Sequence, residues 1–182
     1  MLNEYRQNVG IVVLKNGLIF SGFRADLPLT CRTGWQMPQG GINEGEEVIQ
    51  AGYRELYEET GIKKDKVKLV KLLPQTMKYD FTPDVLKMLN ERNKKIGYNG
   101  KLYKGQEQHW VVFEFIGDNS DINLNAFPEE IEFQKYDWKS ADFLVNNVFE
   151  MKKDVYRKLF HMIEIIFHYL NAFYFSYYTV FA

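Results

Sequence analysis

The stretch from Gly40 to Ile62, GGINEGEEVIQAGYRELYEETGI, constrains this chain more than any other segment. Its end, Arg54-Glu55-Leu56-Tyr57-Glu58-Glu59-Thr60-Gly61-Ile62, packs three carboxylates into five residues. On a helix, Glu55 and Glu58 are three apart and Glu55 and Glu59 four apart, so all three share one face. Like charges so placed destabilise an isolated helix by roughly 0.2–0.5 kcal/mol per pair. Something cationic should therefore lie against that face. Divalent ions ligated by carboxylate oxygens fit, and Mg²⁺ normally acts together with substrate phosphates. Gly61 stands where such a helix ends, so the spacing predicts a helix from about Glu46 to Thr60 after the loop Ile42–Gly45.

Around this stretch the chain reads as strands with a few helices. Val9–Leu14 is a β-branched run, Asn16-Gly17 is a hairpin signal, and Leu18–Phe23 is the returning strand. Ala25–Gly34 and Gly97–Gly105 read as loops. Further strands are expected at Val67–Leu73, Gln108–Ile116 and Ile131–Trp138. The second should be central, because large residues occupy both of its faces. Thr82-Pro83-Asp84 caps a helix from Pro83 to about Lys94, and Ser140 caps a shorter one. Val155, Leu159, Met162, Ile163 and Ile166 stand at helical spacing and predict a terminal helix from Asp154 to about Leu170.

Strands interleaved with helices in a chain of 182 residues, 46% hydrophobic, suggest one layered α/β domain with a real core. The net charge of −1 leaves no global basic field for tracking duplex DNA, but does not prevent the grip of one polyphosphate end. The single cysteine, Cys31, excludes an internal disulfide and is compatible with a cytoplasmic protein. The apolar run after Arg6 ends at Lys15 without a small-residue cleavage site, so it reads as a strand and not a signal peptide. The tail Ile165–Ala182 is rich in Phe and Tyr and carries no formal charge. His168, Asn171 and Ser176 make it a poor membrane span, so a packed extension or an oligomer contact is expected. Monomer and homodimer both remain open.

The stretch Gly40–Ile62 resembles the Nudix box, Gly-x5-Glu-x7-Arg-Glu-U-x-Glu-Glu-x-Gly-U, where U is a bulky aliphatic residue. Gly40, Glu46, Arg54, Glu55, Leu56, Glu58, Glu59, Gly61 and Ile62 occupy its defined positions. The resemblance implies a Nudix fold over residues 1–162, a mixed β-sheet sandwiched between α-helices (α/β/α), with the box as loop-helix-loop. Residues 163–182 would then be an apolar aromatic extension continuing the last helix. The flanks are similar to the RNA pyrophosphohydrolase and dinucleoside polyphosphate hydrolase group. They are Tyr5-Arg6-Gln7-Asn8-Val9-Gly10, Trp35-Gln36-Met37-Pro38-Gln39-Gly40-Gly41, Tyr79-Asp80-Phe81-Thr82-Pro83, Gly105-Gln106-Glu107-Gln108-His109-Trp110 and Lys152-Lys153-Asp154-Val155-Tyr156. Phe23 and Met151 depart from the group, which usually has a basic residue at the first position and an aromatic at the second. The segment Asp80–Gly105 is longer than in its short bacterial members.

What the resemblance implies is a metal-dependent pyrophosphohydrolase. Its substrate would be 5′-triphosphorylated RNA, or a dinucleoside polyphosphate such as Ap4A split into ATP and AMP. Glu55, Glu58 and Glu59 would hold Mg²⁺ or Mn²⁺, more than one ion with substrate, and Glu58 or Glu59 would orient or deprotonate a water. Gly40 would let a metal approach its carbonyl, or is a turn glycine. Glu132, by its spacing to Trp138, would add a ligand or act as base; Glu129, directly after Pro128, competes for that assignment, and a surface glutamate is the plain alternative. Arg54 is expected to fix a box carboxylate and Glu46 to orient the box loop.

Arg6 suits a bidentate phosphate contact, or is a solvated residue before a strand. Tyr79 suits base stacking, or ordinary packing. Gln39 and Gln106 would donate to phosphate oxygens, or are turn residues. Lys63, Lys64, Lys66, Lys68 and Lys71 read as a solvated face, and His109 as a packed histidine. Two other readings are a non-catalytic nucleotide-binding Nudix-like module and a Nudix enzyme acting on nucleoside triphosphates or sugar nucleotides. The intact box speaks against the first and the flanks against the second.

Overall fold

The computed structural model describes residues 4–95 and 100–178, with side chains to residue 165. Two long strands, β1 (Tyr5–Lys15) and β7 (Gly105–Phe115), form its axis. They run parallel, in register from Tyr5 opposite Gly105 to Leu14 opposite Glu114. The other strands are β2 (Leu18–Arg24), β3 (Trp35–Gln36), β4 (Gln39–Gly41), β5 (Val67–Leu72), β6 (Met77–Asp80) and β8 (Phe133–Lys139). The main order is β3-β2-β1-β7-β5, with β4 also on β1, β6 also on β7 and β8 also on β2. One parallel pair among antiparallel ones makes the sheet mixed, as expected.

Period-two alternation along the central strands builds two cores. Val9, Ile11 and Val13 of β1 and Val111, Phe113 and Phe115 of β7 face α1 (Val48–Thr60), meeting Ala51 and Leu56. Val12, Trp110 and Val112 face the opposite side. There they meet Leu144 of α3 (Ala141–Asn147) and Val155, Tyr156 and Leu159 of α4 (Lys153–Tyr178). The result is the α/β/α sandwich. Gly10 makes room for the largest buried side chain, since a Cβ there would fall 2.6 Å from the Trp110 indole.

Several boundaries differ from the sequence reading. The box helix begins at Val48 and not Glu46, because Glu46 folds back to accept a hydrogen bond from Asn43 N at 2.9 Å. Gly61 does end it, at φ 69°. The strand expected from Ile131 begins at Phe133, leaving Ile131 exposed. Met77–Asp80 is a strand that the apolar pattern did not announce. The helix α2 (Pro83–Lys95) follows it, and none of its residues is buried. Of the Gly97–Gly105 loop, residues 97–99 lie outside the described residues. The terminal helix continues past Leu170 to Tyr178. The tail's side chains from residue 166 also lie outside the described residues. Among the described residues, no helix is long and apolar enough to cross a membrane. β5 is an edge strand whose exposed Lys68 and Lys71 discourage edge-to-edge pairing.

Candidate active site

Arg54 is the hub of the box. Its Nε and Nη2 donate to the two carboxylate oxygens of Glu46, each at 2.8 Å, and Nη2 also donates to the Gly41 carbonyl at 2.8 Å. Its Nη1 donates to Glu55 at 2.8 Å and Glu58 at 3.0 Å. The bidentate bond lowers the Glu46 carboxyl to about 2 and raises Arg54 above its ordinary value. Arg54 thus supplies the cation that Glu55 and Glu58 require.

Glu59 makes no salt bridge among the described residues; its side-chain hydrogen bond there is with Gln39 N, which donates at 3.1 Å. Part of its surface remains open, yet protein crowds the carboxyl itself. That desolvation, with the negative charges of Glu132 and Glu55, pushes Glu59 well above the usual carboxylate range. Burial likewise raises Glu55 and Glu132.

Glu132 comes from the segment before β8. It accepts from Arg24 Nη1 at 2.9 Å and from Gln36 Nε2 at 3.2 Å. Glu129 is exposed. Of the two candidates, Glu132 stands beside Glu59.

Lys152 was not singled out by sequence. It is 3% exposed, and its Nζ donates to Gln36 Oε1 and Gln39 Oε1, each at 3.0 Å. Burial, helped by Arg24, lowers it to about 7. Gln39 lies on β4 and Gln106 on β7, so neither is a turn residue. Gln39 Oε1 also accepts from Gln108 at 3.1 Å, and Gln106 Oε1 accepts from the Tyr79 hydroxyl at 2.6 Å.

The Tyr79 ring is 7% exposed, with Phe81 edge-on and the Lys152 ammonium 5.8 Å from its centroid. It is therefore packed, and its face is not free for a base. Its position on β6, between Met77 and the α2 segment, buries it. His109 is half-buried and shares a 3.1 Å hydrogen bond with Gln7.

Arg6, Arg24, Gln39, Tyr79, Gln106 and Lys152 line a cavity of about 1040 Å³ together with residues of α2. The box carboxylates adjoin this cavity through Gln39 and Arg24.

Among the described residues, no three His, Cys, Asp or Glu side chains are gathered as a ready metal cluster. Arg54 holds Glu55 and Glu58 toward itself, while Glu59 faces Gln39 and Glu132. The donor set nevertheless fits a divalent cation. It is carboxylate oxygen throughout, Glu59 makes no salt bridge among the described residues, and a Cβ at Gly40 would fill the space taken by the Glu55 carboxyl.

The NUDIX domain pattern matches residues 4–161 of the chain. The chain belongs to the NUDIX family. An RNA pyrophosphohydrolase of Dinoroseobacter shibae is 36% identical over 157 residues, covering 86% of this chain and 89% of that protein. Nudix hydrolase 26, chloroplastic, of Arabidopsis thaliana is 40% identical over 157 residues, covering 85% of this chain and 67% of that protein. The solved E. coli dihydroneopterin triphosphate pyrophosphohydrolase superposes at TM-score 0.60 and 16% identity, covering 86% of this chain and 97% of that chain. That last likeness shows the Nudix fold. The Nudix box of this chain is the Arg54-centred loop and helix described above, and Nudix hydrolases generally use divalent metal ions.

Proposed function

We propose that this chain is a metal-dependent pyrophosphohydrolase of nucleoside polyphosphates. Its substrates are 5′-triphosphorylated RNA, left with a 5′-monophosphate, and dinucleoside polyphosphates such as Ap4A. The carrying observation is the buried Glu59 carboxyl, with Glu132 and Glu55 as its charged neighbours, joined through Gln39 to a cavity lined by Arg6, Arg24 and Lys152. The names of the relatives sharing most of the chain support the RNA reading. The net charge of −1 supports capture of one polyphosphate end and not of duplex DNA. The lone cysteine supports a cytoplasmic setting.

In this reading Glu55, Glu58, Glu59, Glu132 and the Gly40 backbone hold Mg²⁺ or Mn²⁺, more than one ion with substrate. When bound, the metal neutralises phosphate charge and acidifies a water. Arg54 presets Glu55 and Glu58. Glu58 or Glu59 orients or deprotonates that water. Arg6 and the Lys152 ammonium take phosphate oxygens, and Arg24 with Gln36 orients Glu132. Residues 1–162 are the catalytic domain, and its last helix runs on beyond them to Tyr178.

The test is incubation with Mg²⁺ and either 5′-triphosphorylated RNA or diadenosine tetraphosphate, comparing kcat/KM. Pyrophosphate or orthophosphate release from RNA, or ATP and AMP from the dinucleotide, is expected. No product from either would overturn the enzyme reading in favour of a binding module.

A further inference from the structure

The cavity beside the box is a large one. At about 1040 Å³ it stands at the top of the range for small-molecule sites, roughly 300–1,000 Å³. Its lining carries six cationic side chains, Arg6, Arg24, Lys87, Arg92, Lys101 and Lys152, against one acid, Asp26. The whole chain has 23 Lys and Arg against 24 Asp and Glu, so this surplus is local. The hydrolytic site accounts for Arg6, Arg24 and Lys152. Lys101 is paired with Glu4. Lys87 and Arg92 remain, both exposed on α2, and neither makes a salt bridge among the described residues.

A chain of contacts orders the cavity. Glu59 touches Gln39, Gln39 touches Lys152, the Lys152 ammonium lies over Tyr79, and Tyr79 meets Phe81 at 6.0 Å. Phe81 leads directly into α2. Lys87 and Arg92 line the same cavity from α2, the helix that follows Phe81, together with the half-buried rings of Phe81 and Tyr103. No residue of α2 is buried, so the helix does not serve the core.

Cations and aromatic faces beyond a triphosphate match a single strand carrying one phosphate per nucleotide. A dinucleoside polyphosphate ends instead in an uncharged nucleoside and would leave both cations unmatched.

We infer that α2 is a wall for the RNA strand downstream of its 5′ end, with Lys87 and Arg92 contacting its phosphodiesters. The inference rests on the polyphosphate site proposed above.

The test is fluorescence anisotropy with 3′-labelled oligoribonucleotides of increasing length. Each carries a methylene-bridged 5′-triphosphate that cannot be hydrolysed. Binding should tighten from one nucleotide to four. Lys87→Ala with Arg92→Ala should weaken the tetramer about tenfold more than the mononucleotide. The slope of log Kd against log salt for the tetramer should fall by about 1.4, at roughly 0.7 per lost phosphate contact to a single strand. Affinity independent of length, or equal weakening of mononucleotide and tetramer, would overturn the inference. If the wild type hydrolyses nothing yet shows the length dependence and its loss, the enzyme reading fails and this one stands.

Discussion

A methyl group on Gly40 would overlap the carboxyl of Glu55. That carboxyl is the free end of a flexible side chain, so it can swing aside without disturbing the sheet. Gly40→Ala should therefore leave the protein folded, with Tm shifted by no more than about 4 °C, the equivalent of about 1 kcal/mol. The displaced Glu55 should cost turnover about 100-fold. Calorimetry and steady-state kinetics on the same preparation check both halves. A variant that unfolds, or one that remains fully active, would contradict this account.

Glu59→Gln should separate stability from activity. Burial, Glu132 and Glu55 all raise the Glu59 carboxyl above its ordinary 4.5. Above 4.5 the native protein retains a proton that the unfolded chain has lost. Its metal-free stability therefore falls as pH rises from 4.5 through the raised value. The amide, which can still accept from Gln39 N, removes that fall. At pH 7.5 the metal-free variant should melt higher, by about 2–4 °C for each kcal/mol recovered. It should also lose turnover and most of the Tm rise produced by Mg²⁺. A variant as responsive to Mg²⁺ as the wild type would rule Glu59 out as a ligand.

The Glu46–Arg54 pair predicts the opposite sign at low pH. Glu46 falls to about 2 in the folded protein from an ordinary 4.5. Its stabilisation is complete above 4.5 and is lost as pH falls toward 2. The stability gap between wild type and Glu46→Gln should be full at pH 6 and shrink steadily between pH 4.5 and 2. Urea melts across that range measure it.

Glu132→Gln should lower kcat at least about tenfold, whereas exposed Glu129→Gln should change it less than twofold. Equal effects of the two substitutions would remove Glu132 from the site.

Lys152 should make substrate capture depend on pH. Burial lowers its ammonium to about 7, so the free protein loses that charge as pH rises through 7. KM for a polyphosphate substrate should climb between pH 7 and 9. Lys152→Gln should have a high KM already at pH 6.5, with the climb flattened. The stability sign is reversed: between 7 and the ordinary 10.5 the unfolded chain holds the extra proton, so Lys152 makes stability rise with pH.

The box helix is legible in sequence because its signals are local: carboxylates three and four apart, and a glycine at its end. The central place of β7 is legible because large residues on both faces leave it no exposed side. Lys152 is a different case. It stands next to Lys153 in the segment Lys152–Tyr156, which carries the family resemblance but gives it no role. What buries it are Gln36 and Gln39, 116 and 113 positions away. Tyr79 reads equally well as a stacking ring or a packed one, and its burial depends on the pairing of β6 with β7, 27 positions further along the chain at Gln106. The hydrogen bonds that Arg24 and Gln36 donate to Glu132 are likewise tertiary, written in no local spacing.

The parallel pairing of β1 with β7 has a consequence for how this protein is made. Tyr5 must wait for Gly105, and Leu14 for Glu114. The box is fully synthesised by Ile62, but half of the surface on which α1 rests belongs to β7. Contacts this distant along the chain form slowly and leave the early segments without a partner during synthesis. A nascent chain that has passed the box and not yet reached residue 105 carries the box helix with only half of its seat, the β1 half, to rest on.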